Sequence, residues 1–139
     1  MNRPVDAFLA SFVGMETVIS GQVVSAKDGM VTVRTAGREV KAVSEVAAGE
    51  EVLLCVRPEN VILATQDLPG SSARNVIPAR VARLKPRGLF YSVELDCGFP
   101  LVASISRSAL DDLSLRTGQP VTAIFKATAV HVIRTRKRH

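Results

Sequence analysis

The chain has 139 residues, 47% of them hydrophobic, with 18 Lys and Arg against 13 Asp and Glu and a mean hydropathy of +0.21. That size and composition suit one ordinary domain or two small β-modules sharing a core, and exclude a disordered chain. No apolar run approaches a membrane span and the first residues lack the basic-then-apolar pattern of a secretory signal, so a cytoplasmic location is expected.

The formal charge of +5 is concentrated at one end, where Arg134, Arg136, Lys137 and Arg138 fall within the last six residues. A short basic tail is usually a solvated end. Aromatic residues make up only 4% of the chain, with no Trp, so a stacking platform for single-stranded nucleic acid is thin and nucleic acid is not the expected partner. Cys55 and Cys97 form neither a CxxC pair nor a metal pattern and read as ordinary thiols of a reducing compartment.

Residues 2–13 carry Val5, Phe8, Leu9, Phe12 and Val13 at helical spacing, with Asn2 to cap, Pro4 in the first turn and Gly14 to stop. The spacing predicts a short N-terminal helix, docked either on this chain's own core or on a preceding domain. From Thr17 the pattern becomes alternation. Strands are predicted over 18–24 and 30–34 around a Lys27-Asp28-Gly29 turn, over 38–43 after Ala36-Gly37, and over 51–57 and 60–64 on either side of Pro58. Asp67-Leu68-Pro69-Gly70-Ser71 marks a boundary. Beyond it come strands over 77–84 and 89–95 around a Lys85–Gly88 turn, and a strand over 100–106. A short helix over 108–113 follows, with Ser108 as cap and Asp111 in its first turn, and then a last strand pair ending at Ile133. Short strands at this spacing predict an all-β barrel or sandwich.

The halves repeat each other. Gly49 and Gly118, an offset of 69 residues, are each followed by Val at the third and twelfth positions and by a cation at the eighth, Arg57 in one half and Lys126 in the other. The pattern predicts a duplicated barrel.

Two short segments carry the chemistry. Ser72-Ala73-Arg74-Asn75 and Lys126-Ala127-Thr128-Ala129 each set a cation beside hydroxyl and small side chains. Charge from Arg74 and Lys126, with donors from Ser72, Thr128 and nearby backbone N–H groups, suits a compact tetrahedral oxyanion. The bland alternative is that both cations are solvated surface charges. A second cluster, Ser106-Arg107-Ser108, is weaker because Ser108 serves as the cap. Arg57 repeats Lys126, but Glu59 beside it repels an anion and predicts a structural Arg–Glu pair. No GxSxG, Cys–His or GxxxxGK[ST] motif occurs, and Asp111 and Asp112 point apart on their helix. A binding module is expected rather than an enzyme, with no resident cofactor.

At these residues the sequence resembles a known family. Ser72–Asn75, Leu101–Ser106, the helix at 108–115 and Phe125–Val130 together look like a Mop or TOBE module, a small OB-like barrel that binds molybdate or tungstate. Residues 15–66, with Val56-Arg57-Pro58-Glu59-Asn60-Val61, look like the preceding TOBE-type barrel of ABC-transporter ATPase subunits, and residues 3–14 are similar to the segment that joins it to the ATPase domain. The resemblance implies two tandem OB-like barrels with a short N-terminal helix, divided as a joining helix (1–14), a first barrel (15–67), a Mop/TOBE barrel (68–134) and a basic tail (135–139). It implies the C-terminal regulatory region of a molybdate/tungstate importer's ATP-binding subunit, dimeric or of higher order, and linked in the full transporter to an ATPase domain and a membrane permease. Carried over by position, the oxyanion site would comprise Ser72, Arg74, Lys126 and Thr128, with Ser106 where the family often has Thr, and Ala127 where related modules frequently have Ser. The other reading is a ligand-free dimerisation domain of an ABC ATPase for another substrate.

Overall fold

The computed structural model describes residues 18–65 and 74–135. The helix predicted over 2–13, Ser72 and residues 136–139 of the basic tail lie outside the described residues.

Strands β1 (Val18–Lys27), β2 (Met30–Thr35) and β3 (Arg38–Val43) form a meander. Its turns are Asp28-Gly29, with φ +55 and +79, and Ala36-Gly37, with φ +51 and +78. Both central residues are left-handed, the type I′ geometry whose twist matches the paired strands. β4 (Glu51–Val56) lies antiparallel to β1. A 3-10 turn, Pro58–Asn60, then carries the chain out of this sheet to β5 (Ile62–Ala64). The second half runs β6 (Arg74–Arg87), β7 (Phe90–Asp96), β8 (Pro100–Ser106), helix α1 (Arg107–Leu113) and β9 (Pro120–Lys126). A second 3-10 turn, Ala127–Ala129, leads to β10 (Val130–Arg134).

The two five-stranded sheets have the orders β10-β4-β1-β2-β3 and β5-β9-β6-β7-β8. Each half therefore gives its last strand to the sheet of the other. The exchange is reciprocal down to its register. Ile62 pairs with Ile124 and Leu63 with Ala123, and their repeat counterparts make the pairs His131–Cys55 and Val132–Leu54. Both sheets curl around one continuous core that includes Val23, Val33 and Leu54 from the first and Val93, Leu101 and Phe125 from the second. The fold is all-β, two OB-like half-barrels with a single helix among the described residues.

The repeat read from spacing has a matching geometry. Gly49 N–H donates to Val23 O and Gly118 N–H to Val81 O, both at 2.7 Å, and β1 and β6 each carry a bulge just after that valine. Arg57 (φ −70, ψ 135) and Lys126 (φ −75, ψ 151) precede the two crossover turns. Val61 and Val130 follow them with nearly identical backbone angles and donate to Pro58 O and Ala127 O.

Four local expectations are corrected. The turn assigned to Lys85–Gly88 is Gly88-Leu89: β6 runs on through Pro86, opposite Tyr91, because proline's fixed φ is compatible with extended backbone. Ser106, not Ser108, caps α1, its Oγ accepting from Ala109 N–H at 3.1 Å. The helix accordingly starts at Arg107 and no acidic residue falls in its first turn, which moves Asp111 into the second. Arg57 and Glu59 are both exposed and form no ion pair with each other, since the 3-10 turn separates them.

Candidate functional site

The β6–β9 register makes Arg74 and Lys126 direct cross-strand partners. Like charges at directly opposed positions are unfavourable in a sheet. The juxtaposition joins residues far apart in sequence at one end of β9, where the chain leaves the sheet. Lys126 is exposed, as is Thr128 in the turn that follows, while Ala127 between them is buried at 1% exposure. Ala127 has no side-chain donor to offer and is occupied in packing. The turn rests against β3 of the first sheet. Thr128 faces a groove of about 360 Å³ that it shares with Val43, Ser44 and His131.

Asn75, next to Arg74, fixes this corner. It is 4% exposed, and its carboxamide accepts from Lys41 N–H at 2.7 Å and donates to Lys41 O at 3.0 Å. One side chain thus satisfies both main-chain groups of a residue on edge strand β3 and ties the two sheets together beside the cation pair. The sequence reading gave Asn75 no separate part. The available signal was its phase: it is a polar residue at the head of the buried series Asn75, Ile77, Ala79 and Val81.

Ser106 is not brought beside these residues. It ends β8, and β7 and β6 lie between β8 and β9. β8 packs against the other crossover turn, Pro58–Asn60. At that turn the repeat counterpart of Thr128 is the exposed Glu59, so one crossover presents a carboxylate where the other presents a hydroxyl. Among the described residues no group of three His, Cys, Asp or Glu could hold a metal ion, and no helix is long and apolar enough to cross a membrane.

Residues 71–132 match the TOBE domain family. They are a TOBE domain. Across 132 residues, 94% of its length, the chain is 33% identical to the molybdate/tungstate import ATP-binding protein WtpC of Pyrococcus abyssi, of which this covers 36%. It is 35% identical over 83 residues to the molybdenum import ATP-binding protein ModC of Pasteurella multocida, covering 24% of that protein. The chain therefore spans about a third of the WtpC relative's length and corresponds to the C-terminal region of such subunits. Among solved structures, the cytoplasmic molybdate-binding protein ModG, with molybdate bound, superposes with a TM-score of 0.78 at 25% identity, over 86% of this chain and 96% of that one. The TOBE domain and the ModG-like fold are binding units without catalytic machinery. Within this TOBE domain lie Arg74, Ser106, Lys126, Ala127 and Thr128. Its β9 receives β5 from the preceding half.

Proposed function

We propose that the chain binds a tetrahedral oxyanion, molybdate or tungstate, at the Arg74–Lys126 crossover of its TOBE domain. In a full import ATPase subunit, occupancy of this site would restrain transport when intracellular anion is plentiful. The observation that carries the reading is the cross-strand pairing of two cations at a strand end, with the exposed Thr128 hydroxyl beside it and no carboxylate at the position where the other crossover has Glu59. An anion between the cations turns a repulsion into two charge-assisted contacts. The molybdate and tungstate named for WtpC and the molybdate bound in ModG support the choice of ligand.

Ser106 caps α1 through its oxygen and keeps its hydroxyl proton to donate. Since two strands separate β8 from β9, its part in such a site would be played from a second copy, in keeping with a homodimer or higher homo-oligomer. Ser72 completes the proposed donor set. Restraint of transport requires the anion to favour one arrangement of the barrels over another. The ATPase domain, the membrane permease and a position on the cytoplasmic side of the inner membrane belong to the same proposal. Ala127 favours the second reading, a ligand-free dimerisation domain, because it removes one donor from the site.

Calorimetric titration with tungstate and molybdate, with sulfate and phosphate as controls, separates the two. Binding of the first pair, lost in Lys126→Ala, is the expected result. Unchanged affinity in that variant refutes the site, and no heat with any anion supports the scaffold.

A further inference from the structure

We infer that a second anion site, for an organic phosphate or carboxylate, lies at the opposite end of β9 from Lys126. There a cleft of about 470 Å³ is lined by Arg38 and Arg80, with Asp96, Thr122, Pro78 and Pro120 around them. Arg80 is the cross-strand partner of Pro120, as Arg74 is of Lys126, so six residues of strand, about 20 Å at the usual rise, separate the two sites.

The internal repeat serves as the control. Arg80 occupies the position of Gln22 and makes the same bond: Arg80 Nη1 donates to Gly118 O at 2.7 Å, and Gln22 Nε2 donates to Gly49 O at 3.5 Å. Gln119 likewise occupies the position of Glu50. Gln119 Oε1 accepts from Arg116 N–H at 2.9 Å, and Glu50 Oε2 accepts from Ala47 N–H at 2.8 Å. In the first half the Glu50 carboxylate also holds Arg134, at 2.8 Å. In the second half the loop geometry is kept, a guanidinium has been gained and the carboxylate has been lost. Both changes make this corner more positive, and neither is needed for the backbone bonds they preserve.

Arg38 reaches the same corner from the first sheet, its Nε donating to Cys97 O at 2.6 Å. Each arginine is thus anchored by a single N–H to a main-chain carbonyl. Among the described residues neither forms an ion pair. Among the described lining residues Asp96 is the sole acid, and it accepts from Gly98 N–H at 2.9 Å, so those residues carry a net charge of +1. Guanidinium forks recognise phosphate and carboxylate groups. The cleft is too large for a lone tetrahedral ion, and Pro78 and Pro120 offer apolar surface to an organic body.

The test is calorimetric titration of the full chain with citrate and with phenyl phosphate, against inorganic phosphate as the small-ion control. Both organic probes should bind more tightly than inorganic phosphate. Arg80→Gln, which reproduces the residue found in the first repeat, should weaken them about tenfold or more, as expected for the loss of charge-assisted bonds, and Arg38→Gln should do the same. The melting temperature and the tungstate affinity of Arg80→Gln should match the parent. Failure of both organic probes to bind, equal affinity in both arginine variants, or loss of binding in Lys126→Ala instead would overturn the proposal. Failure of tungstate binding alone would leave it standing.

Discussion

Replacing Asn75 with alanine tests how the two sheets are held in register beside the cation pair. The buried carboxamide satisfies both Lys41 N–H and Lys41 O on β3, the last strand of its sheet among the described residues. Its removal leaves one donor and one acceptor unpaired against the interior. Unmade buried hydrogen bonds cost on the order of 1–3 kcal/mol each, so the expected loss is about 2–4 kcal/mol, toward the lower end because Lys41 itself is half-buried. For a chain of this size that corresponds to a fall of roughly 10 °C in Tm. Urea unfolding followed by circular dichroism should show a lower midpoint with an unchanged slope, because the surface exposed on unfolding is the same. Asn75→Asp keeps an acceptor for Lys41 N–H but sets a carboxylate against Lys41 O, and it should recover little. A loss below about 1 kcal/mol in Asn75→Ala would refute the reasoning, since it would mean that water satisfies Lys41 as well as the side chain does.

Gly21→Ala should destabilise by about 1–3 kcal/mol, because a Cβ there would lie 2.6 Å from Val33 Cγ1 and 2.9 Å from Arg34 O; unfolding at full parental stability would contradict it. Glu50 has its carboxyl held below the ordinary value, chiefly by the hydrogen bond from Arg134 and then by that from Ala47 N–H. A lowered folded-state pKa contributes stability that is present above the unfolded value and is lost as pH falls through the folded one. Glu50→Gln should therefore be less stable than the parent at neutral pH, with the gap closing as pH falls below the ordinary carboxylate range; a gap independent of pH would show that the charge is not its source. Burial pushes Cys97 up to about 11 and also raises Cys55, so Ellman's reagent should label the folded chain slowly at pH 7.5 and both thiols promptly in denaturant. Rapid stoichiometric labelling of the native chain would contradict their burial.

The strands were legible because alternation, Asp-Gly and Ala-Gly turns and the Gly49/Gly118 spacing are local signals, and the backbone has little freedom to answer them otherwise. The exchange of β5 and β10 was not legible, since nothing in Ile62–Ala64 says which of two similar partners it will pair with. Local pattern also misjudged the helix start. Ser106 and Ser108 are equivalent candidates by composition, and the strand pairing of Ser106 with Phe90 decides which of them ends the extended backbone and caps. Arg134 read as part of a solvated basic run, yet it closes β10 and pairs with Glu50 at a separation of 84 residues, a distance that charge patterning does not see. At the candidate site, the cations were visible as residues out of keeping with their apolar or small neighbours. That Arg74 is in register with Lys126, and that Ser106 does not join them, follows from strand pairing and strand order alone.

The exchanged last strands interlock the halves like clasped hands. A single cut in the connection between β5 and β6 would leave two pieces, each with its end hydrogen-bonded into the body of the other, so the nicked protein should elute as one species and refold only when both pieces are present. Either piece alone would expose an unpaired strand edge, β4 in one and β9 in the other, and the ready remedy is another copy of itself. A fold built this way retains in one chain the signature of a symmetric pair of half-length subunits, each clasping the last strand of the other.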